Sequence, residues 1–316
     1  MKEASFLAQN ADKWKGFEKD LSGSYLDPGR LAHIYDDLSD DLAYSRTFFP
    51  GGRSERYLNA MLARVHYRIY RNKKESGSRI IRFWVRELPE VLARSQKELF
   101  LSLLVFGVAV LIGILSQLYQ PSFADIILGE GYVDQTLDNI QKGEPMQIYQ
   151  SGRASEAFAS ITVNNVKVAF YTFVMGVLFS VGTGFILLYN GIMLGTFFTL
   201  FHQHGENFEA MTTVWLHGTL EIASIVVAGC AGLVVGNSFL FPASYPRKSS
   251  FLMGAKKGLK LVVGTVPFFI AAGFIEGFVT RMLWLPAAVK LMIILLSLVF
   301  ALYYYVLYPR RLSFGS

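Results

Sequence analysis

The sequence predicts an all-α protein in which a polytopic bundle of transmembrane helices follows an amphipathic helical domain. Of the 316 residues, 52% are apolar and only 17% are charged, whereas soluble domains average about 25% charged residues. The apolar residues fall in long blocks, and the first block, Leu99–Leu118, carries no charge over a length that can span a ~30 Å hydrocarbon core. These observations predict a cytoplasmic helical domain at residues 1–98 and a transmembrane domain at residues 99–316.

The N-terminal region predicts soluble helices that end in a basic segment. Residues 1–20 lack the apolar stretch of a signal peptide. Asp27-Pro28 predicts a helix start, and Pro50-Gly51-Gly52 predicts its end. The segment Ser78–Lys97 combines apolar residues with arginines, which is typical of an interfacial helix on anionic lipid, although a helix in a small soluble bundle is the alternative. The arginines expected at the lipid surface are Arg79, Arg82, Arg86 and Arg94.

The apolar blocks and the charges between them predict about six spans. The expected ranges are 99–118, 163–181, 184–202, 211–236, 259–280 and 288–308. The loop 119–162 carries six acidic residues against two basic ones, whereas residues 237–258 and the C-terminal Arg310-Arg311 are basic. Loops rich in Lys and Arg stay in the cytoplasm. Six crossings therefore place the loop 119–162 outside and both termini in the cytoplasm.

The span count depends on the block Val166–Phe201, which is too long for one span. We expect a break at Ser180–Gly184, where two glycines interrupt a helix at little cost. A break at Asn190-Gly191 would instead give five spans and a re-entrant element, whose non-helical backbone must be covered by protein. Two crossings are favoured because a single crossing would put both basic segments outside.

Pairs of glycines four residues apart predict close helix packing. Such pairs let two backbones approach each other within a membrane, and they also suit a homodimer. The residues expected at these contacts are Gly191, Gly195, Gly232, Gly236, Gly273 and Gly277.

Ionisable residues inside the predicted spans form the candidate site. His217 and Glu221 are four residues apart and share one helix face, which Ser224 extends, and Glu276 lies in the next span. A charge at mid-membrane costs at least ~2.5 kcal/mol, so such residues need a partner or a function.

Four roles for this cluster stay open at this stage. It could be a structural hydrogen-bonded cluster, an ion or lipid-headgroup path, a metal site, or the general base of an intramembrane hydrolase. The spacing is not the His-Glu-x-x-His zinc pattern, and no nucleophile signature accompanies it. The single cysteine, Cys230, excludes an internal disulfide and a thiolate zinc site. The sequence predicts no cofactor and no nucleic-acid partner, and whether a metal binds is left open.

Several short motifs resemble the stage II sporulation protein M family of bacterial membrane proteins. Each is short, but their order and spacing together are specific. They are Trp84–Pro89, Asn164-Asn165, Gly176, Gly182-Thr183, Asn190-Gly191 with Gly195, His217-Gly218-x-x-Glu221, Ala228–Gly232 and Phe274–Phe278. One position departs from the pattern, since Arg281 stands where the family leads us to expect proline.

The resemblance implies a membrane anchor more than an enzyme. The sporulation member is similar to a scaffold that assembles with two peptidoglycan-degrading proteins, and no catalytic activity comes with the family. We therefore expect an assembly subunit in the bacterial inner membrane, with the lipid bilayer, other envelope or membrane proteins and a second copy as partners. The alternative is a transporter or lipid translocase that uses His217, Glu221 and Glu276.

Overall fold

The computed structural model describes residues 2–23, 26–70, 78–147, 152–282 and 284–314. The described chain is built from helices and contains no strand, which confirms the predicted all-α membrane bundle. Contacts divide it into two compact units, Met1–Arg79 and Ile80–Ser316. The predicted domain boundary at residue 98 stays a prediction.

Three helices lie in the described part of the first unit. They are α1 (Glu3–Ser22), α2 (Pro28–Phe48) and α3 (Arg53–Tyr70). The carboxylate of Asp27 accepts the backbone N–H of Arg30 at 3.2 Å, so α2 begins with a capped N-terminus and a proline in its first turn. The three helices share one apolar core, formed by Phe6, Trp14, Phe17, Leu21, Ile34, Leu38, Leu42, Leu58, Met61 and Val65.

The second unit contains the apolar helices. In chain order they are α4 (Ser78–Arg82), α5 (Leu88–Arg94), α6 (Gln96–Tyr119), α7 (Phe123–Leu128), α8 (Glu130–Gln141), α9 (Ala154–Val174), α10 (Val181–Gln203), α11 (Asn207–Leu240), α12 (Arg247–Phe274), α13 (Ala287–Leu302) and α14 (Tyr308–Phe314). Single π-helical turns follow α4, α12 and α13, at Phe83–Glu87, Ile275–Val279 and Tyr303–Leu307.

Among the described residues, five helices are long and apolar enough to cross a membrane. They are Gln96–Tyr119, Val181–Gln203, Asn207–Leu240, Arg247–Val279 and Ala287–Leu312. Helix α9 overlaps the predicted span 163–181 but is not one of the five, because Asn164, Asn165 and Lys167 lower its hydropathy. The total of six crossings stays a prediction.

Helix α11 is the centre of the bundle. In its most apolar stretch 83% of the residues are buried, against 22% in α6 and 17% in the last span. The outer helices carry exposed Phe, Leu and Val side chains, such as Phe100 and Leu295, which suits contact with lipid chains.

The block Val166–Phe201 folds into two helices joined by a tight reversal. The chain turns at Met175–Ser180, just before the expected break, and Phe179 and Ser180 have positive φ. The hydroxyl of Thr183 donates to the carbonyl of Thr172 at 2.7 Å and ties the two helices together. No break occurs at Asn190-Gly191, because both residues lie inside α10.

In its described part, the segment between α6 and α9 contains helices and is not a simple loop. The predicted loop 119–162 contains α7 and α8, and its last nine residues already belong to α9. Ala124 and Val133 pack against Leu200 of α10. This contact holds α7 and α8 over one end of the bundle.

Candidate functional site

Three ionisable side chains from two helices meet inside the second unit. His217 and Glu221 lie ~15 and ~21 Å along α11 from its first residue, and Glu276 projects from the π-helical turn after α12. One ligand atom from each residue lies within 4.8 Å of the other two. The Nε2 atom of His217 is 3.7 Å from Oε2 of Glu276. The structure thus brings together three of the four expected polar residues.

Neutral polar groups hold this cluster from both sides. The amide nitrogen of Asn165, on α9, donates to Oε1 of Glu221 at 2.6 Å. The hydroxyl of Thr280 lies 3.4 Å from Nδ1 of His217. With Nδ1–H donated to that hydroxyl, the Nε2 lone pair points toward Glu276.

The cluster lines a partly open cavity of about 670 Å³. Helices α9, α10 and α11 form its walls, and α7 and α8 contribute to its rim. The residues that line it are Ile127, Leu128, Tyr132, Ser160, Ile161, Asn164, Asn165, Tyr189, Met193, Leu194, Phe197, Val214, His217, Glu221 and Glu276. His217 is buried, the Glu276 side chain is 13% exposed, and Asn164 is exposed. The polar groups therefore run from an exposed rim to a nearly buried floor.

Tyr132 of α8 is one of the aromatic residues that line the cavity. Burial raises the pKa of its phenol. Its place above the cluster depends on the packing of α8 and could not be predicted from a segment expected to be a loop.

Ser224 does not join the cluster. It lies one turn beyond Glu221, is fully buried, and faces the hydroxyl of Tyr305 instead of the cavity. Asn165 and Thr280, which contact the cluster, were not predicted as site residues. The pair Asn164-Asn165 within the predicted span 163–181 is the signal that could have indicated one of them.

The glycine pairs are used for contacts within the chain. A Cβ at Gly191 or Gly195 would collide with α6, and at Gly273 or Gly277 with α9. At Gly232 it would collide with Thr172 of α9 and Thr183 of α10, and at Gly236 with the α9–α10 reversal. A homodimer, which stays a prediction, would therefore need another surface.

The four arginines expected at the lipid surface are exposed on the segment 78–94. Within the second unit, residues 84–87 of this segment contact the bundle. Trp84 donates from Nε1 to the carbonyl of Gly264 at 3.4 Å, and Glu87 pairs with Lys260 at 2.7 Å. Tyr304 and Tyr308 donate to the carbonyls of Trp84 and Val85 at 2.7 and 2.8 Å. Contact of the arginines with lipid stays a prediction.

Two proteins of Methanocaldococcus jannaschii are similar to the chain. Uncharacterized protein MJ0706 is 27% identical over 151 residues, which cover 46% of this chain and 67% of the relative. Uncharacterized protein MJ0793 is 27% identical over 125 residues, which cover 39% of this chain and 70% of the relative. No solved structure matches the chain.

Two family models match, one in each compact unit. A domain of unknown function (DUF8413) matches residues 4–71. The model for stage II sporulation protein M matches residues 102–281, which is more than half of the chain and includes the whole His-Glu cluster. The chain therefore belongs to the stage II sporulation protein M family.

Proposed function

We propose that this protein is a membrane transporter or translocase whose path runs through the cavity above His217, Glu221 and Glu276. The open cavity is the observation that carries the proposal. A purely structural cluster would be sealed by its neighbours, since membrane bundles pack closely and ionisable groups at this depth are costly.

The packing elsewhere in the bundle supports this interpretation. Helices α6 and α10 approach so closely that a single added carbon at Gly113 or Gly195 would collide with backbone atoms. In contrast, α9 and α10 leave about 670 Å³ between them above the three ionisable residues. A closely packed bundle would not be expected to leave a void of this size, and the binding of a ligand would account for it.

The chemistry of the cavity favours a cationic or strongly polar ligand. Glu221 and Glu276 offer carboxylate oxygens, Asn164 an amide and Tyr132 a phenol, while Leu194 forms part of an apolar wall. Such a mixture could accept a small solute or a lipid headgroup with its first carbons.

Cysteine labelling at neighbouring positions of α9 tests the proposal. In a Cys230→Ser background, a cysteine replaces either Asn164, which lines the cavity, or Val163, which is 51% exposed but does not. We expect a membrane-impermeant maleimide to modify Asn164→Cys and to leave Val163→Cys, facing lipid, unmodified. Equal protection of both positions, with exposed loop cysteines reacting, would contradict an aqueous cavity.

A second candidate is the assembly role expected from the family, and the surface of α8 favours it. Glu130, Asp134 and Asp138 recur every fourth residue and are exposed, and Lys142 pairs with the last of them. A photo-crosslinker at the neighbouring Gln135 should give one discrete product with a second protein, absent when the three acids are neutralised. A product that survives neutralisation, or none at all, would argue against docking at α8.

We also propose the orientation that the basic segments favour. Residues 237–258 and both termini would lie in the cytoplasm, and α7 and α8 would lie outside an inner membrane. The cavity would then open toward the external side.

A further inference from the structure

We propose that His217, Glu221 and Glu276 bind one divalent first-row transition-metal ion, of the class of Zn²⁺ or Mn²⁺. This proposal rests on the proposed function, because the ion would enter through the cavity described above. It names the ligand class that the floor of the cavity would accept.

The spacing of the three side chains fits a shared ion. Bonds of ~2.1 Å at tetrahedral angles hold ligand atoms about 3.4 Å apart. Nε2 of His217 and Oε2 of Glu276 are 3.7 Å apart, and one atom from each of the three residues lies within 4.8 Å of the others. The ligand atoms are therefore within about 1.4 Å of the spacing that a shared ion requires.

The neighbours of the cluster orient it as a ligand set. Metal-binding histidines usually hold their second nitrogen in a hydrogen bond, and ligating carboxylates are hydrogen-bonded in turn. Thr280 lies at Nδ1 of His217, and Asn165 donates to Oε1 of Glu221. The Thr280 contact is made at Nδ1, so Nε2 of His217 is the ring nitrogen that lies near Glu276, 3.7 Å from Oε2.

The negative charge of the two carboxylates favours the binding of a cation. Two carboxylates within 4.8 Å repel each other, and they do so more strongly in the low-dielectric interior of a membrane bundle. Arg281, five residues after Glu276, supplies one positive charge nearby and also donates to the carbonyl of Gly152 at 2.9 Å. A divalent ion would balance both carboxylates at the point where they meet.

Two further features distinguish this cluster from a group of acids that happen to be close. Glu276 stands on a π-helical turn at the end of α12, which brings its carboxylate to within 3.7 Å of His217 on α11. Three protein ligands next to an open cavity also leave free coordination positions, as in metal sites that exchange water or a ligand. A mixed imidazole and carboxylate set suits Zn²⁺ and Mn²⁺ better than Mg²⁺.

Direct metal binding to the full-length protein tests the proposal. The protein is purified in detergent, stripped with a chelator and dialysed against Zn²⁺, Mn²⁺ or Mg²⁺, and bound metal is measured by mass spectrometry. We expect one Zn²⁺ or Mn²⁺ per chain, and binding of Mg²⁺ at least about 100-fold weaker. For bound Mn²⁺, electron–nuclear double resonance should show coupling to one nitrogen, from His217.

Matched substitutions assign the ion to this cluster. Glu276→Gln and Glu221→Gln should weaken binding by about 100-fold or more, and Asn165→Ala by about 10-fold, because Asn165 only positions a ligand. The control is Glu98→Gln, which removes a carboxylate at the other end of the bundle, where Asn237 contacts it at 3.4 Å, and should leave affinity unchanged. Size-exclusion chromatography and circular dichroism check that each variant is folded.

Metal-binding measurements on the wild-type protein can contradict the proposal even if a variant does not fold. Less than stoichiometric metal at about 1 mM free Zn²⁺ and Mn²⁺, or bound Mn²⁺ without nitrogen coupling, would exclude this site. Unchanged affinity in Glu276→Gln would exclude it as well. If Asn164→Cys is labelled but no metal binds, the cavity remains a path for another ligand, so the two proposals fail separately.

Discussion

Glu3 illustrates how a single carboxylate joins two helices of the first unit. Its Oε1 accepts the backbone N–H and the hydroxyl of Ser54, both at 2.9 Å, from the first turn of α3. A negative charge at a helix N-terminus is favourable, and hydrogen bonds to an ionised acceptor are strong. The contact fixes the start of α1 against α3 across 51 positions of sequence.

This contact predicts that acid weakens the first unit. The hydrogen bonds from Ser54 lower the pKa of Glu3, so the stabilisation is present above the ordinary glutamate pKa of about 4.3 and is lost as pH falls through the lowered value. Glu3→Gln should remove that part of the pH dependence. The measurement is urea unfolding at pH values from 6 to about 3. Unfolding is monitored by the fluorescence of Trp14, in a variant whose other tryptophans are replaced by phenylalanine.

Asp12→Asn provides the control for this prediction. Asp12 is exposed on the same helix, so its substitution should leave the acid sensitivity of the unit intact. An identical loss of acid sensitivity in both variants would contradict a specific role for Glu3.

At the scale of elements, the contact between α6 and α10 depends on small residues from both helices. Gly191 and Gly195 of α10 face Ala109 and Val110 of α6, and Gly113 of α6 faces Ile192. Small residues at such contacts let backbones pack directly in a membrane, where apolar burial between helices supplies little stability.

Two glycines of α6 therefore provide a matched prediction. A Cβ at Gly113 would lie 3.0 Å from the Cα of Ile192, whereas a Cβ at Gly107 would meet nothing within 4 Å. We expect Gly113→Ala to destabilise the bundle by about 1–3 kcal/mol. Gly107→Ala should be neutral or stabilise it by up to ~1 kcal/mol. Thermal unfolding in detergent compares the two, and equal midpoints would argue against this helix contact.

Sequence periodicity predicted the elements better than their interruptions. Long apolar blocks identify Leu99–Leu118 and its successors because a membrane helix must be apolar over its whole length. The π-helical turn that presents Glu276 leaves no such pattern, since one extra residue in a turn does not change composition. Ser224 shares a face with Glu221 by spacing, yet it lies ~4.5 Å further along α11, where Tyr305 packs. Helical spacing alone could not predict this change of neighbour.

At the scale of the whole molecule, the cavity results from the packing of elements distant in sequence. Glu276 reaches the cluster because α12 packs along α11 and α9, and the rim exists because α7 and α8 fold over α10. The ionisable residues could be found in the sequence because charges are rare inside apolar spans. That these residues lie only a few ångströms apart, with a cavity beside them, could be seen only in the three-dimensional structure.

The labelling of a cysteine on the floor of the cavity by a thiol reagent is the measurement that tests the central claim most directly. In a Cys230→Ser background, a cysteine replaces either Glu276, on the floor, or Ser224, one turn beyond Glu221 and fully buried. An impermeant thiol reagent is added to sealed vesicles on the side of α7 and α8, with a cysteine at exposed Glu130 as the sidedness control. We predict labelling of Glu276→Cys and none of Ser224→Cys. Protection of both, while Glu130→Cys reacts, would mean that the cluster is sealed and would contradict the proposed path.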